Sequence, residues 1–292
     1  MTRRYPIPTR RTVPRHVYAP PPHRARANAA ALAALVCLAL LVVAAVAAPL
    51  LTPYDPLQMS PKEQFAPPSA KHLLGTDLFG RDVAARILYG GRISLGIGLV
   101  AVLFAALPGT ALGLIAGYYG RWPDRLISWL VDVMLSFPSI LLALTIVAAL
   151  GPGIANVVVA VGIAGIPTYT RLVRGQVLSV RRQPYIRAAV TVGARDLRIL
   201  IRHILPNVFG SIIVLATLDV GWAILNASAL SFLGLGAQPP AAEWGAMLNE
   251  GRGYLRNAPW VTVAPGLAIA IAVLAVNLVG DYLRDALDPR RR

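Results

Sequence analysis

The sequence predicts an all-α, polytopic membrane protein, and two observations support this prediction. Of the 292 residues, 56% are hydrophobic and only 14% are charged, whereas a soluble domain carries about 25% charged residues. Five or six apolar stretches exceed about 18 residues, the length of a membrane-spanning helix. The single cysteine, Cys37, lies inside one of these stretches, which excludes a disulfide framework and a cysteine-based metal site.

The amino-terminal part divides into a basic tail and a first apolar span. Residues 1–28 contain seven arginines and no acidic residue, which predicts a cytoplasmic tail that rests on anionic lipid headgroups. Residues 29–51 are continuously apolar. A secretory signal peptide is the alternative, but its apolar region should be only about 7–15 residues long. We therefore expect an uncleaved first transmembrane helix, followed by an extracytoplasmic loop that ends this unit, residues 29–92.

Five further spans complete a prediction of six transmembrane helices. They are expected at about 93–118, 126–150, 154–173, 208–233 and 260–281. Together they form a five-helix unit, residues 93–282, which leaves 283–292 as a carboxy-terminal tail. Within the second span, Gly109, Gly113 and Gly117 share one face. This double G-x-x-x-G pattern favours close helix packing.

The distribution of positive charge predicts the orientation in the membrane. Six spans place both termini on one side, together with the segments 119–125 and 171–206. That side collects 21 of the 28 Lys and Arg residues, and the opposite side collects 7. By the positive-inside rule, the termini and residues 171–206 are cytoplasmic. The same distribution explains most of the net charge of +15 without nucleic acid, since no stacking aromatics are interleaved with the arginines.

Residues 184–206 are the most informative polar stretch of the chain. Tyr185, Ala188, Ala189 and Val192 recur at helical spacing, and after Gly193 the same pattern returns. Its second occurrence comprises Leu197, Leu200, Ile201 and Ile204. Pro184 suits a first helical position, Gly193 a left-handed cap and Pro206 a stop. The pattern indicates a helix–turn–helix outside the bilayer that docks on another protein. The alternative is a basic loop that only obeys the positive-inside rule.

No catalytic motif stands out. The only lysines, Lys62 and Lys71, lie outside any phosphate-binding loop pattern. The four histidines are scattered without a metal-ligand spacing, and no G-x-S-x-G elbow occurs. We therefore expect a non-enzymatic chain without a cofactor or metal of its own, so any energy from ATP would have to enter through a partner.

Polar residues inside predicted spans are candidates for a solute pathway, because they are costly in lipid. Asp219 lies near the middle of the fifth span, with Asn226 and Ser228 further along. Asp219 could receive a cationic group such as a peptide amino terminus, or it could bind a neighbouring helix. Asp132 lies two turns from Arg125, which favours a local ion pair.

The stretch 184–206 also resembles the "EAA" loop of the membrane subunits of ABC importers. The resemblance rests on Ala188-Ala189, Gly193 and Leu205-Pro206, whereas Arg187 stands where the general motif has Glu. In that family the short helix docks on a cytoplasmic ATPase and transmits its closure to the membrane helices. The resemblance implies that the ATPase-coupling residues here are Tyr185, Arg187, Ala188, Ala189, Gly193, Leu205 and Pro206.

Three more stretches, 75–95, 230–248 and 277–289, are similar to signatures of the dipeptide/oligopeptide/nickel group of ABC importer permeases. They match its second permease subunit, and the resemblance covers about residues 30–289. It implies a type I (MetI-like) permease core in a prokaryotic cell membrane. It also implies as partners a second, homologous permease subunit, two ATPases that bind ATP and Mg²⁺, and an extracytoplasmic solute-binding protein. Trp244 and Trp260 are expected as interfacial anchors.

The resemblance implies uptake of di- or oligopeptides, with nickel chelates or glutathione-like solutes as the alternative. Two rival classes are an ion-coupled secondary transporter and an intramembrane enzyme. The first would need a coupling-ion site, which only Asp132 and Asp219 could form, and no inverted repeat is evident. The second would need a nucleophile–base pair facing inward, and none is evident.

Overall fold

The computed structural model of the chain describes residues 23–287, with side chains from residue 31 onward. This part of the chain is mostly helical and contains no β-strand, as the sequence predicts. Most of the predicted basic tail, residues 1–22, lies outside the described residues, as do residues 288–292. The helices are α1 (His23–Val46), α2 (Ala48–Leu51), α3 (Val83–Tyr119), α4 (Arg121–Leu135), α5 (Ser139–Leu150), α6 (Ile154–Val180), α7 (Pro184–Thr191), α8 (Asp196–Ile199), α9 (Leu205–Phe232), α10 (Trp244–Gly251) and α11 (Trp260–Leu287).

The helices that can cross a membrane are compatible with six spans. Four are long and apolar enough by themselves: α3, α6, α11 and the continuous stretch Asp196–Phe232. The pair α4–α5 qualifies as a fifth only if both helices are counted as one span. Residues 31–46 of α1 form a shorter apolar helix. The predicted class, a polytopic all-α membrane protein, is therefore confirmed.

Helix α3 begins about ten residues before the predicted second span. Asp82 caps it, since the Asp82 carboxylate accepts a hydrogen bond from the Ala85 backbone nitrogen at 2.7 Å. The helix has 37 residues, so at 1.5 Å per residue it is about 55 Å long. A hydrocarbon core is only about 30 Å thick. The amino-terminal end of α3 therefore extends beyond the hydrocarbon core, into the polar region that precedes the helix.

The predicted third span is not one continuous helix. Helices α4 and α5 meet at an angle of 91° around Pro138. Proline lacks the backbone N–H that a continuous helix needs there, and it disfavours helical geometry in the residue before it. The predicted Asp132–Arg125 pair is also wrong, because Asp132 binds Arg171 of α6 at 2.7 Å. Asp132 and Arg125 are seven residues apart, which corresponds to about 10 Å along a helix. Arg171 is closer to Asp132 because α6 packs beside α4.

Helices α3 and α6 pack closely along the glycine face of α3. A Cβ atom added to Gly109, Gly113 or Gly117 would lie 2.6–2.7 Å from the Cβ atom of Tyr169, Val173 or Val177, respectively. Real Cβ atoms do not approach so closely, so the backbones could not come this near with any larger residue. The two helices form the centre of the larger apolar core, to which α9 also contributes.

Candidate functional site

The segment 184–206, here called the connecting segment, begins as a short helix with a well-defined end. Helix α7 starts with Pro184 and ends in a left-handed glycine, Gly193, with φ +78°. The Ala194 nitrogen donates to the Ala189 carbonyl at 3.1 Å, and the Gly193 nitrogen to the Val190 carbonyl at 3.0 Å. These two bonds form a Schellman motif, which needs a residue that tolerates positive φ. The turn at Gly193 is therefore set by local chemistry.

One face of α7 is anchored and the other is open. Ile186 is 2% exposed and belongs to the main apolar core. Tyr185, Ala188, Ala189 and Val192 line one surface pocket together. Val192 is 82% exposed, Ala188 is exposed and Ala189 is half-buried. Ile186 thus anchors α7 to the apolar core, while the opposite face of α7 presents small and apolar side chains to solvent.

The second arm does not end at Pro206, and that prediction is wrong. Helix α8 passes through a π-helical turn, Leu200–Ile204, directly into α9, so that Asp196–Phe232 is one continuous helix. A proline ring clashes with the carbonyl four residues earlier in an ordinary helix. The wider π turn just before Pro206 takes up this change without ending the helix. As a result, Leu205 and Pro206 lie inside the joint between the connecting segment and a membrane-spanning helix.

The apolar stripe predicted for the second arm is only half buried. Leu200 and Ile204 are buried, together with Ile199, whereas Leu197 and Ile201 are exposed. Leu197 and Ile201 are four residues apart, as are Leu200 and Ile204, so each pair lies on its own face of the helix. Only the face with Leu200 and Ile204 is turned toward the apolar core.

Two contacts tie the connecting segment to the end of α3. The Arg181 guanidinium, just before the segment, donates to the Tyr118 carbonyl at 2.6 Å and to the Gly117 carbonyl at 3.2 Å. These carbonyls belong to the last turn of α3, which has no helical partners for them. The Tyr118 hydroxyl binds the Asp196 carboxylate at 2.7 Å. The residue before the connecting segment and the start of α8 are therefore both tied to the end of α3.

The structure separates the three residues predicted for a solute pathway. Asp219 of α9 keeps part of its surface open and lies close to the Tyr169 hydroxyl of α6, although their geometry is outside that of a hydrogen bond. Asn226 and Ser228 are 9% and 5% exposed. The Asn226 amide donates back to the Trp222 carbonyl at 2.9 Å. Asn226 and Ser228 thus face packed protein, and only Asp219 has an open side.

A buried ionic cluster at the opposite end of the helices was not predicted. Asp77 binds Arg81 at 2.7 Å and Arg86 at 2.6 Å. Both arginines also bind Glu250 of α10, each at 2.7 Å. Asp77, Arg81 and Arg86 are almost completely buried. Asp77 and Arg81 lie in a non-helical turn, where a spacing of four residues does not indicate a pair as it does on a helix. Glu250 lies 169 residues beyond Arg81, so no spacing in the sequence indicates the cluster.

Helix α10 is joined to α3 by further polar contacts. Glu243 caps α10 by accepting from the Gly245 and Ala246 nitrogens at 2.9 and 2.8 Å. It also accepts a hydrogen bond from the Ser94 hydroxyl of α3 at 3.1 Å. Trp244 is buried and donates to the Ile87 carbonyl at 3.0 Å, so its predicted role as an interfacial anchor is wrong.

The loop before α3 carries a second polar group of residues. The Nδ1 atom of His72 lies 2.9 Å from the Asp82 carboxylate, and its Nε2 atom lies 3.4 Å from Glu63. Glu63 also binds Lys71, and this hydrogen bond holds the pKa of the Glu63 carboxyl below its usual value. Among residues 23–287, no cluster of three or more potential ligands could hold a metal ion.

Two family models match this chain, and both describe membrane components of transport systems. Residues 109–292 match the family model described as binding-protein-dependent transport system inner membrane component. Residues 23–68 match the N-terminal TM domain of oligopeptide transport permease C. The chain therefore belongs to the binding-protein-dependent transport system inner membrane components. It is a non-catalytic permease and an inner-membrane protein.

Curated relatives agree with this family over most of the chain. The chain is 50% identical to a dipeptide transport system permease protein of Alkalihalophilus pseudofirmus, over 91% of this chain and 87% of the relative. It is 51% identical to a glutathione transport system permease protein of Pectobacterium atrosepticum, over 89% and 87%. These matches confirm the predicted resemblance to the dipeptide and oligopeptide group.

Solved structures support the fold. The MetNI methionine ABC transporter in an inward-facing conformation aligns with a TM-score of 0.57 at 19% identity, covering 70% of this chain and 96% of that chain. A second crystal form of the same transporter aligns with a TM-score of 0.54. At this identity the similarity concerns the fold alone, and it confirms the predicted MetI-like class.

Proposed function

We propose that this chain forms half of the translocation pathway of a heteromeric, ATP-driven importer of di- or oligopeptides. The observation that carries the proposal is the continuous helix Asp196–Phe232, which joins the connecting segment to a membrane span. A force applied to α7 would reach α9 through this helix and through the Schellman turn at Gly193. Only the short turn of residues 192–195 lies between α7 and the continuous helix.

In this mechanism the partners supply energy and solute. Two ATPase subunits bind ATP and Mg²⁺, close, and move α7. A second, homologous permease subunit provides the other half of the pathway, and a binding protein delivers the solute on the outer side. The chain then alternates between two arrangements whose populations the ATPases bias.

The proposed orientation places the connecting segment and both termini in the cytoplasm. It is supported by the positive-inside rule and by the fold, in which arginines from α6 and the connecting segment gather around the end of α3. The buried cluster of Asp77, Arg81, Arg86 and Glu250 then lies on the outer side, together with α10.

The solute class is supported by the two relatives. One is a dipeptide permease and the other a glutathione permease, and both names refer to small molecules with peptide or peptide-like bonds. Peptides are therefore the proposed solutes, and glutathione-like compounds are the second candidate.

The proposal is tested by uptake into proteoliposomes that contain this chain with its partner permease, ATPases and binding protein. We expect peptide uptake by those complexes whose ATPases face the lumen of the vesicle. This uptake should require ATP in the lumen and should persist without an ion gradient. Uptake that requires a proton or sodium gradient and ignores ATP would contradict the proposal and favour a secondary transporter.

Asp219 is the residue we propose for contact with the solute, because it alone among the three candidates keeps an open side. A carboxylate there would attract the ammonium group of a peptide amino terminus. In Asp219→Asn, uptake of peptides with a free amine should fall several-fold more than uptake of amine-acetylated analogues. Asn226→Ser serves as a control on the same helix, and equal losses for both solute types in Asp219→Asn would refute the role.

A further inference from the structure

Two arginine-lined pockets flank the connecting segment, one on each side of α7. Arg181, Arg182 and Arg187 line the first pocket, whose volume is about 620 Å³. The second pocket, of about 530 Å³, is lined by residues that include Arg198, Arg202 and His203. Each pocket has room for several side chains, and no acidic residue lines either of them.

The arginines around α7 differ from those on the neighbouring helix α6 in their ion pairs. On α6, Arg171 binds Asp132 and Arg174 binds Asp124 of the same chain. In the described part of the chain, Arg182, Arg187, Arg198 and Arg202 form no ion pair with any carboxylate. The carboxylate of the connecting segment itself, Asp196, is bound by the Tyr118 hydroxyl. The positive-inside rule explains the number of arginines, and Arg125 and Arg256 also form no ion pair within the described residues. Beside α7, however, four unpaired arginines line the two pockets around one exposed helix face.

Tyr185, Ala188 and Val192 form an uncharged ridge along α7 that borders the second pocket. Ala188 and Val192 point outward there, and Tyr185 is 45% exposed. An apolar centre with a charged rim is the anatomy of a protein–protein interface. A lipid headgroup would need only the cations, whereas a protein groove uses both the ridge and the cations.

We infer that the protein surface that receives α7 is acidic, with carboxylates placed to meet Arg187 on one side and Arg198 and Arg202 on the other. The inference rests on the proposed docking of an ATPase at α7 and adds the charge of that docking surface. The arginines steer the two proteins together and set their register, while the ridge supplies the apolar contact.

The experiment measures binding of the purified ATPase to this permease, with its partner permease, in nanodiscs of neutral phosphatidylcholine. Arg187→Glu and Arg198→Glu are compared with Arg187→Lys, which keeps the charge, and with Arg256→Glu, an exposed arginine in the segment between α10 and α11. At low salt, we expect each of the first two variants to slow association at least ten-fold. Arg256→Glu should bind like the wild type, and Arg187→Lys should associate much faster than Arg187→Glu because it keeps the positive charge.

Salt provides a second readout. Rim charges act over about 10 Å at 0.1 M salt and only about 3 Å at 1 M, so the difference between Arg187→Glu and wild type should shrink as salt rises. Normal association of both glutamate variants at low salt would overturn the inference. An effect that appears only when anionic phosphatidylglycerol is added would also overturn it, because the arginines would then bind lipid.

The failure of this inference can be distinguished from failure of the proposed function. Ala188→Trp changes the ridge without changing the charge, so it reports on docking itself. If Ala188→Trp weakens binding and the arginine variants do not, docking occurs at α7 but the receiving surface is not acidic. If none of these variants alters binding, docking at α7 is itself refuted.

Discussion

In Ala188→Trp we expect the permease to lose its ATPases while it still inserts into the membrane and folds. Ala188 lies on the outward face of α7, at the edge of a surface pocket, and its own chain leaves its side chain exposed. An indole at position 188 would extend into solvent and would not displace any residue of the apolar core. It would instead occupy the space into which a docked partner fits.

The size of the effect follows from the cost of overpacking. Forcing a large side chain into a close-packed contact costs about 1–3 kcal/mol, and about 1.4 kcal/mol corresponds to a ten-fold change in affinity. ATPase binding should therefore weaken by roughly 10- to 100-fold, and ATP-driven uptake should fall with it.

The measurement is the amount of ATPase that co-purifies with the permease, together with the thermal stability of the permease in detergent. Ala188→Ser is the matched control, because it keeps a small side chain at the same position. Full co-purification of ATPase with Ala188→Trp would show that this face of α7 is not the docking face.

In Asp77→Ala we expect a large loss of stability. The Asp77 carboxylate pairs with Arg81 and Arg86 and also accepts from the Phe79 and Arg81 nitrogens at 2.8 and 3.0 Å. Its removal leaves two buried guanidinium groups that share only Glu250. Breaking a buried pair in this way typically costs about 3–5 kcal/mol, since a charge remains without compensation.

The thermal unfolding midpoint of the solubilised permease measures this loss. Asp55→Ala is the control in the same loop: Asp55 is exposed and accepts one hydrogen bond, from the Leu57 nitrogen. Its substitution should change the free energy of unfolding by no more than about 0.5 kcal/mol. Equal midpoints for the two variants would mean that the cluster does not hold α10 against α3.

The turn at Gly193 shows how far local sequence can predict the candidate site. A glycine after an amphipathic stretch predicts a left-handed cap, and the Schellman bonds are present. The face shared by Tyr185, Ala188, Ala189 and Val192 follows from helical spacing alone, and the structure places the four around one pocket. The use of that face for ATPase docking stays a proposal.

The errors arise where a backbone adjustment or a contact with a distant part of the chain overrides a local sequence pattern. Pro206 reads as a stop because its local effect on a helix is known, but a π turn in the preceding residues accommodates it. Asp132 is close to Arg125 in the sequence, but in the folded chain it forms an ion pair with Arg171 of α6. An aromatic residue such as Trp244 can lie at the membrane interface or inside the protein. Its contact with α3 shows that Trp244 is buried.

By itself, the sequence determined the helical membrane class, the family, the glycine face of α3 and the cap at Gly193. These features depend on composition, on periodicity along one helix, or on the backbone freedom of a single residue. Only the tertiary structure decided that the connecting segment continues into α9 and that Asp77, Arg81 and Arg86 meet Glu250. It also decided which arginines lack a carboxylate in their own chain. The physical reason is that an ion pair acts over a few ångströms in space, and sequence spacing specifies that distance only within one or two helical turns.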